Sequence, residues 1–343
     1  MSATLKTVDV HPRLRLLTLD ALAGISMPPA LVQGLIAAGS LVLLYGESNT
    51  GKSTLAMDLG FAIATGSPWR GIRTRRGAVV HVAGEGLYGL AARANAYARH
   101  VPGTRGAPYG VVSGDLDLLS ASDVDELIAT MNRMQSEVGE KVELVILDTL
   151  ARCAVIDEND GGQMRILVGA CDRIRAATGA AVLVIHHAGK DTTKGARGHS
   201  SLRAAVDTEL LVEGRENPRT LTVTKQRDLP TVAPMAFRLE PVTIGQDHHA
   251  HEAITACVVT HDESLRPTPR QPSGKAQQAI LRALRNRQNE GDAPLVWTLL
   301  DLRKIGRDLG QHKQTARDAV EGLVCSGFLI PSVGGHKLAE HVA

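Results

Sequence analysis

The chain is poor in aromatic residues, with three Phe, two Trp and four Tyr among 343 residues. Its core must therefore be aliphatic, and an extended aromatic platform for stacking bases is excluded. It also lacks a strong charge imbalance. With a formal net charge of +2, any contact with nucleic acid has to come from local basic patches rather than from a basic whole. Cysteine is sparse, and Cys153, Cys171, Cys257 and Cys325 stand far apart at no metal-binding spacing, so they read as reduced thiols. No apolar run approaches the ~20 residues that cross a bilayer. The amino terminus mixes Lys6, His11, Arg13 and Arg15 with short apolar pieces and has no signal-type apolar core. These absences predict a soluble, cytoplasmic protein.

Alternation is what the chain does have. Leu41–Tyr45, Ala78–Ala83, Tyr109–Ser113, Leu144–Leu147 and Ala181–Ile185 are short aliphatic runs that read as strands. Between them Ser53–Thr65, Gly89–His100, Asp123–Val138 and Gln163–Thr178 have helical apolar spacing. This pattern predicts an α/β fold with a mostly parallel sheet and helices on both faces. Four further extended pieces, Leu211–Glu213, Thr220–Gln226, Met235–Leu239 and Ala256–Thr260, are expected as antiparallel additions. A Pro-rich linker at 262–274 separates this part from a helical end, with helices expected at Ala276–Gln288, Val296–Leu309 and Lys313–Gly322 before a small hairpin. The organisation expected is an extension at 1–25, a large α/β domain at 26–261, the linker, and a winged-helix-like domain at 275–343.

The run "LVLLYGESNTGKST", residues 41–54, joins a buried strand to a glycine turn and a helix. Gly46, Gly51, Lys52 and Ser53 complete the pattern Gly-x-x-x-x-Gly-Lys-Ser/Thr. In such a loop the backbone N–H groups face phosphate oxygens, the lysine reaches the β/γ-phosphates and the serine hydroxyl ligates magnesium. The intervening Glu47, Ser48, Asn49 and Thr50, with Thr54 just beyond, complete the expected ATP cradle. "VELVILDTLAR" ends a strand in Asp148, the acidic partner that magnesium needs. "VVHVAGEG" ends another in Glu85, placed to polarise a water for attack on the γ-phosphate.

Several stretches together resemble one family. They are "GESNTGKST", "SPWRGIRTRRGAVVHVAGEG", "VILDTLARCAVIDENDGGQM", "VLVIHHAGKDTTKGARGHSSLRAAVDTELLV" and "LTVTKQRDLP", which span about residues 25 to 245. They resemble the RepA-like branch of RecA-type ATPases, the plasmid- and phage-type replicative helicases related to DnaB. The resemblance implies a RecA-like core, a ring (commonly a hexamer) with ATP between subunits, and Glu85 as the catalytic carboxylate. It also implies that His187 senses the γ-phosphate. Adjacent residues on a strand point to opposite faces, so His186 and His187 do not share a metal, and only one of them can face a nucleotide. A site shared between subunits needs a cation from the neighbour, with Arg203, Lys225 and Arg227 as the candidates. The Lys-x-Arg pair resembles the DnaB-type trans pair and is preferred.

Residues 188–201, "AGKDTTKGARGHSS", are glycine-rich and basic. Lys190, Lys194 and Arg197 suit non-specific phosphate contacts along single-stranded DNA. The loop "ARCAVIDENDGGQ" after Asp148 is acidic through Asp157, Glu158 and Asp160, and fits a coupling role better than phosphate binding. His248, His249 and His251 are expected to face solvent. The carboxy-terminal piece, with twelve Lys/Arg and six Asp/Glu over residues 266–337, suits duplex DNA or a protein partner. The leading expectation is an ATP-driven ring helicase with magnesium as its metal. The alternatives are a RecA-type ATPase that remodels or loads proteins, and a DNA-binding regulator switched by ATP. A water-activating Glu85 argues against the switch.

Overall fold

The computed structural model describes residues 18–24, 28–84, 86–189, 199–230, 232–246, 252–261, 274–289, 296–325 and 328–338. A short helix α1 (Leu19–Ala23) and a small antiparallel pair, β1 (Ala30–Val32) and β2 (Ile36–Ala37), precede the main sheet. The chain then alternates β3 (Leu41–Gly46), α2 (Lys52–Thr65), β4 (Ala78–Ala83), α3 (Leu87–His100), β5 (Tyr109–Ser113), α4 (Ala121–Val138) and β6 (Val142–Asp148). It continues through α5 (Leu150–Cys153), α6 (Gly161–Thr178), β7 (Ala181–His187), α7 (Ser200–Ala205) and β8 (Thr208–Glu213). Three long strands follow: β9 (Arg219–Gln226), β10 (Met235–Gln246) and β11 (Ala253–Thr260).

Among the described residues these form a nine-stranded sheet in the order β11-β10-β9-β8-β3-β7-β6-β4-β5. Strands β3 to β8 run parallel, and β9, β10 and β11 are antiparallel to their neighbours. The architecture is α/β with a mostly parallel sheet. One expectation needs correction. The Leu211–Glu213 piece belongs to β8, which pairs parallel to β3, because α7 provides the crossover that a parallel connection requires.

Burial on both faces explains why the parallel strands read as continuous apolar runs. Along β3, Leu41, Leu43 and Tyr45 belong to the apolar cluster on the α6 face of the sheet, while Val42 and Leu44 belong to the cluster on the α2 face. The β10–β11 pair slips register between Thr243 and Gly245, a bulge of the kind that bends a strand. Ile244 and Val258 join Met57 and Phe61 of α2 and Leu90 and Tyr97 of α3 in a separate apolar cluster. The backbone N–H of Val259 donates to the Tyr97 hydroxyl at 3.0 Å. The hairpin thus folds over the start of the site described below.

The carboxy-terminal elements are α8 (Lys275–Asn289), α9 (Leu299–Asp308), α10 (Lys313–Cys325), β12 (Leu329–Ser332) and β13 (Gly335–Leu338), around their own apolar cluster. The helix expected from Val296 starts later. Trp297 exchanges backbone hydrogen bonds with His336 of β13, and Thr298 with Asp301 forms a capping box that fixes the start of α9. None of the helices described is long and apolar enough to cross a membrane.

Candidate nucleotide site

The turn after β3 is shaped by two glycines. A Cβ on Gly46 would lie 2.3 Å from the Val212 carbonyl oxygen of β8, so only glycine allows the neighbouring strand so close. Gly51 has φ +89° and caps α2, and a Cβ there would meet Leu239 Cδ1 at 2.7 Å. The first amides of α2 have no partner within the helix and carry its positive dipole end, which is the geometry that accepts phosphate. Lys52 is 6% exposed. Its ammonium donates to the carbonyl oxygens of Gly46 at 3.0 Å and Glu47 at 2.7 Å. Burial pushes the lysine pKa down to about 8, against the opposing pull of Asp148 and Glu47. The Thr50 hydroxyl donates to the Glu47 carbonyl, while the Glu47 side chain turns outward to Arg215.

Asp148 ends β6, two strands from β3 with β7 between them. Its Oδ1 accepts from the Ser53 hydroxyl at 3.0 Å, so the motif serine and the strand-end carboxylate already meet. Among the described residues no group of three His, Cys, Asp or Glu is arranged to hold a metal by itself. One carboxylate and one hydroxyl beside a phosphate cradle are what magnesium uses when phosphate and water supply its remaining oxygens. The donor set fits magnesium that arrives with a nucleotide.

Lys52 and Ser53 open onto a cleft of about 590 Å³ that is also lined by Ser48, Asn49, Gly51, Thr54, His187 and Thr149, the residue next to Asp148. His187 lies beside Gly46 across the β3–β7 ladder, whereas His186 is fully buried. The pair diverges as strand alternation requires.

The cleft also has walls that motif reading does not reveal. Arg93 of α3 lines it, and its Nε is buried with no hydrogen-bond partner among the described residues. Leu239 of β10 and Thr255 to Cys257 of β11 close another side. His81 of β4 lies behind Asp148, with Nε2 3.3 Å from Oδ2. A lone histidine amid the valines of "AVVHVAG" is the signal for it, but only the β4–β6 register shows its target.

The three candidate trans cations lie elsewhere. Lys225 sits opposite Glu209 near the beginning of β8, and β9 ends at Gln226, so Arg227 falls just past the strand. This is the amino edge of the parallel strands, about 17 Å along the strand axis from Gly46 at the level of Arg227. Lys225 Nζ donates to the carbonyls of Arg203 and Val206 at 2.6 and 2.7 Å and to that of Ala204 at 3.1 Å. Arg227 donates to Asp207 at 2.8 Å and to the carbonyls of Ala204 and Ala205 at 2.9 and 3.3 Å. Both cations therefore satisfy the last carbonyls of α7, where a positive charge is favoured. Arg203 is engaged differently, as a fork on the fully buried Glu209 at 2.8 and 3.2 Å. That bond raises the guanidinium pKa.

Glu85, Lys190, Lys194, Arg197, His248, His249 and His251 lie outside the described residues, as does most of the Pro-rich linker. The acidic loop after Asp148 uses its charges on its own fold. Asp160 caps α6 through the N–H groups of Gly162 and Gln163, Asp157 accepts from the Asn159 backbone, and the Glu158 carboxylate lies 4.0 Å from His186 Nδ1.

Among solved structures the chain is similar to the RadB recombinase, with 17% identity and a TM-score of 0.45 over 65% of this chain and 93% of that one. It is also similar to a KaiC-like protein from the hyperthermophilic archaeon Pyrococcus horikoshii, with 15% identity and a TM-score of 0.40 over 62% of this chain and 93% of that one. The sequence model described as "AAA domain" matches residues 9–193, more than half of the chain. This protein belongs to the AAA domain family of P-loop ATPases.

Proposed function

We propose that this chain is the subunit of a ring, a hexamer by resemblance, that hydrolyses ATP to translocate on single-stranded DNA in plasmid- or phage-type replication. This reading makes it a RepA-like helicase related to DnaB. The observation that carries the reading is the division of cations between two edges of one sheet. Lys52 and Arg93 serve the cleft at the carboxyl edge, whereas Lys225 and Arg227 are held at the amino edge, too far away to serve that same cleft. Arg227 keeps 45% of its side chain exposed. A neighbouring subunit is the partner that such a pair suits.

Each residue then has a distinct task. Lys52, the α2 amides and Arg93 bind and orient the phosphates. Ser53 and Asp148 would hold magnesium, which would supply neutralisation of the phosphate charge. Glu85 takes the proton of the attacking water. His187 reads the γ-phosphate at the tip of β7, and Lys225 with Arg227 stabilises the transferred charge in the next subunit. Arg203 is assigned a structural role because its partner Glu209 is fully buried. Lys190, Lys194 and Arg197 grip DNA phosphates on the loop that follows β7. The three helices and hairpin at the carboxy terminus act as a winged helix for duplex DNA or a protein partner.

The test is ATP turnover with and without single-stranded DNA, paired with strand displacement on a forked duplex. Stimulation and displacement are expected. Replacing Lys190, Lys194 and Arg197 together by alanine should remove the stimulation and leave basal turnover. Each lost contact should flatten the log–log salt dependence of binding by about 0.7. Turnover indifferent to DNA, with no displacement, would favour a protein-remodelling ATPase.

A further inference from the structure

Asp148 does not stand alone at the end of β6. The fully buried imidazole of His81 on β4 lies behind it, with Nε2 3.3 Å from Oδ2 and Nδ1 2.7 Å from the Tyr109 hydroxyl on β5. The three residues come from three adjacent strands, with β4 in the middle. Strand alternation explains the meeting, since Val80 and Val82 pack on the opposite face of the sheet. A histidine in such an aliphatic strand is costly to bury unless both ring nitrogens find partners, and here both do.

The helix carrying the motif lysine and serine makes room for this arrangement. A Cβ on Gly60 of α2 would lie 2.7 Å from Tyr109 Cε2, so glycine is what lets that ring pack against the helix. Gly in mid-helix is a poorer helix former than alanine. Phe61 stacks on the same ring at a centroid distance of 4.6 Å. The phenol is thus fixed in place, and burial raises its pKa, which keeps the hydroxyl protonated.

We propose that His81, backed by Tyr109, is a positioning residue that fixes the Asp148 carboxylate for magnesium. The proposal rests on the reading of Asp148 as a magnesium-site carboxylate. An ionised carboxylate only accepts, so Nε2 carries the proton that points at Oδ2. On the other side Nδ1 pairs with the Tyr109 hydroxyl at 2.7 Å. Oδ2 is held from behind, and Oδ1 is left facing the Ser53 hydroxyl at 3.0 Å. Partners that orient a metal-site carboxylate in this way typically account for about 10–100-fold in metal affinity.

The test uses the full chain and two ligands, magnesium and a fluorescent ATP analogue. Magnesium is titrated into the protein with the analogue bound, and nucleotide affinity is also measured in EDTA. His81→Leu should raise the half-saturating magnesium concentration by about 10–100-fold and leave metal-free nucleotide affinity unchanged. His81→Gln, whose amide nitrogen falls near the position of Nε2, should recover most of the loss, and His81→Asn should not. Tyr109→Phe keeps the ring packing and should give a smaller shift in the same direction. If Gln and Asn behave like Leu, and all three merely lower Tm together, the positioning role is overturned. An unchanged magnesium requirement in His81→Leu overturns it too. Asp148→Asn separates the two levels. If it alters magnesium dependence while His81→Leu does not, only this inference fails. If Asp148→Asn leaves magnesium dependence unchanged, the magnesium reading of Asp148 fails and the inference goes with it.

Discussion

The two edges of the central sheet use the same residue types in opposite ways. At the carboxyl edge, among the described residues, Lys52 donates to the loop carbonyls of Gly46 and Glu47, and Asp148 pairs with Ser53 and His81 rather than with a lysine or arginine. At the amino edge charges neutralise one another. Asp207 takes Arg227 at 2.8 Å and Arg175 at 3.1 Å, and Glu209 takes Arg203. Satisfied pairs make a stable surface, whereas a buried ammonium and a carboxylate kept apart make a place for a charged ligand. Position rather than composition separates the edge that opens a cleft within the subunit from the edge whose charges are paired within it, where Arg227 still keeps 45% of its side chain exposed toward a neighbour.

Substitutions at the two edges should therefore fail differently. Lys52→Ala should show the largest effect, with loss of hydrolysis and severe weakening of nucleotide binding, read by turnover and by titration with a fluorescent nucleotide. Glu85→Gln should bind ATP normally and turn over about 10²–10⁴-fold more slowly. Near-normal turnover would remove Glu85 from its role. At the amino edge Arg203→Ala should leave nucleotide binding intact and lower Tm by several degrees, because the fully buried Glu209 loses its partner. Unchanged Tm would mean that this pair contributes nothing to the fold.

The smallest effect concerns protons. In the free protein Lys52 has a pKa lowered to about 8, chiefly by burial. Bound phosphates favour the charged form and raise it again. Nucleotide binding should therefore take up a proton above pH 8 and almost none at pH 7. Affinity should fall as pH rises through 8. Calorimetry in buffers of differing ionisation enthalpy measures the uptake, and Lys52→Arg should abolish it.

Much of the core was legible because its chemistry restricts residue type. A phosphate turn needs glycines at Gly46 and Gly51, and a sheet covered on both faces needs the aliphatic runs of β3, β4, β6 and β7. The direction of β8 was not legible, since α7 has only six residues and too few turns to show an amphipathic repeat. The start of α9 was hidden as well. Trp297 reads as part of the helix until its pairing with His336 across 39 positions is seen. His81 and Arg93 escaped for the same reason, because their meaning lies in strand register and helix placement. The anchoring of Lys225 and Arg227 on the end of α7 depends on contacts about twenty residues apart, which local spacing cannot reveal.

The most direct test is complementation between the two edges. Lys52→Ala protein lacks the cradle lysine, and the Lys225→Ala/Arg227→Ala protein lacks the amino-edge pair. Each alone should be inactive, the second with turnover lowered by about 10³–10⁵. In mixed assemblies some interfaces join an intact cradle to an intact pair. Completion of the site by a neighbour predicts that ATP turnover reappears on mixing, rises with the fraction of mixed interfaces and peaks near equal proportions. Turnover that stays absent in well-mixed assemblies of folded protein, or near-normal turnover in the Lys225→Ala/Arg227→Ala protein alone, would contradict it.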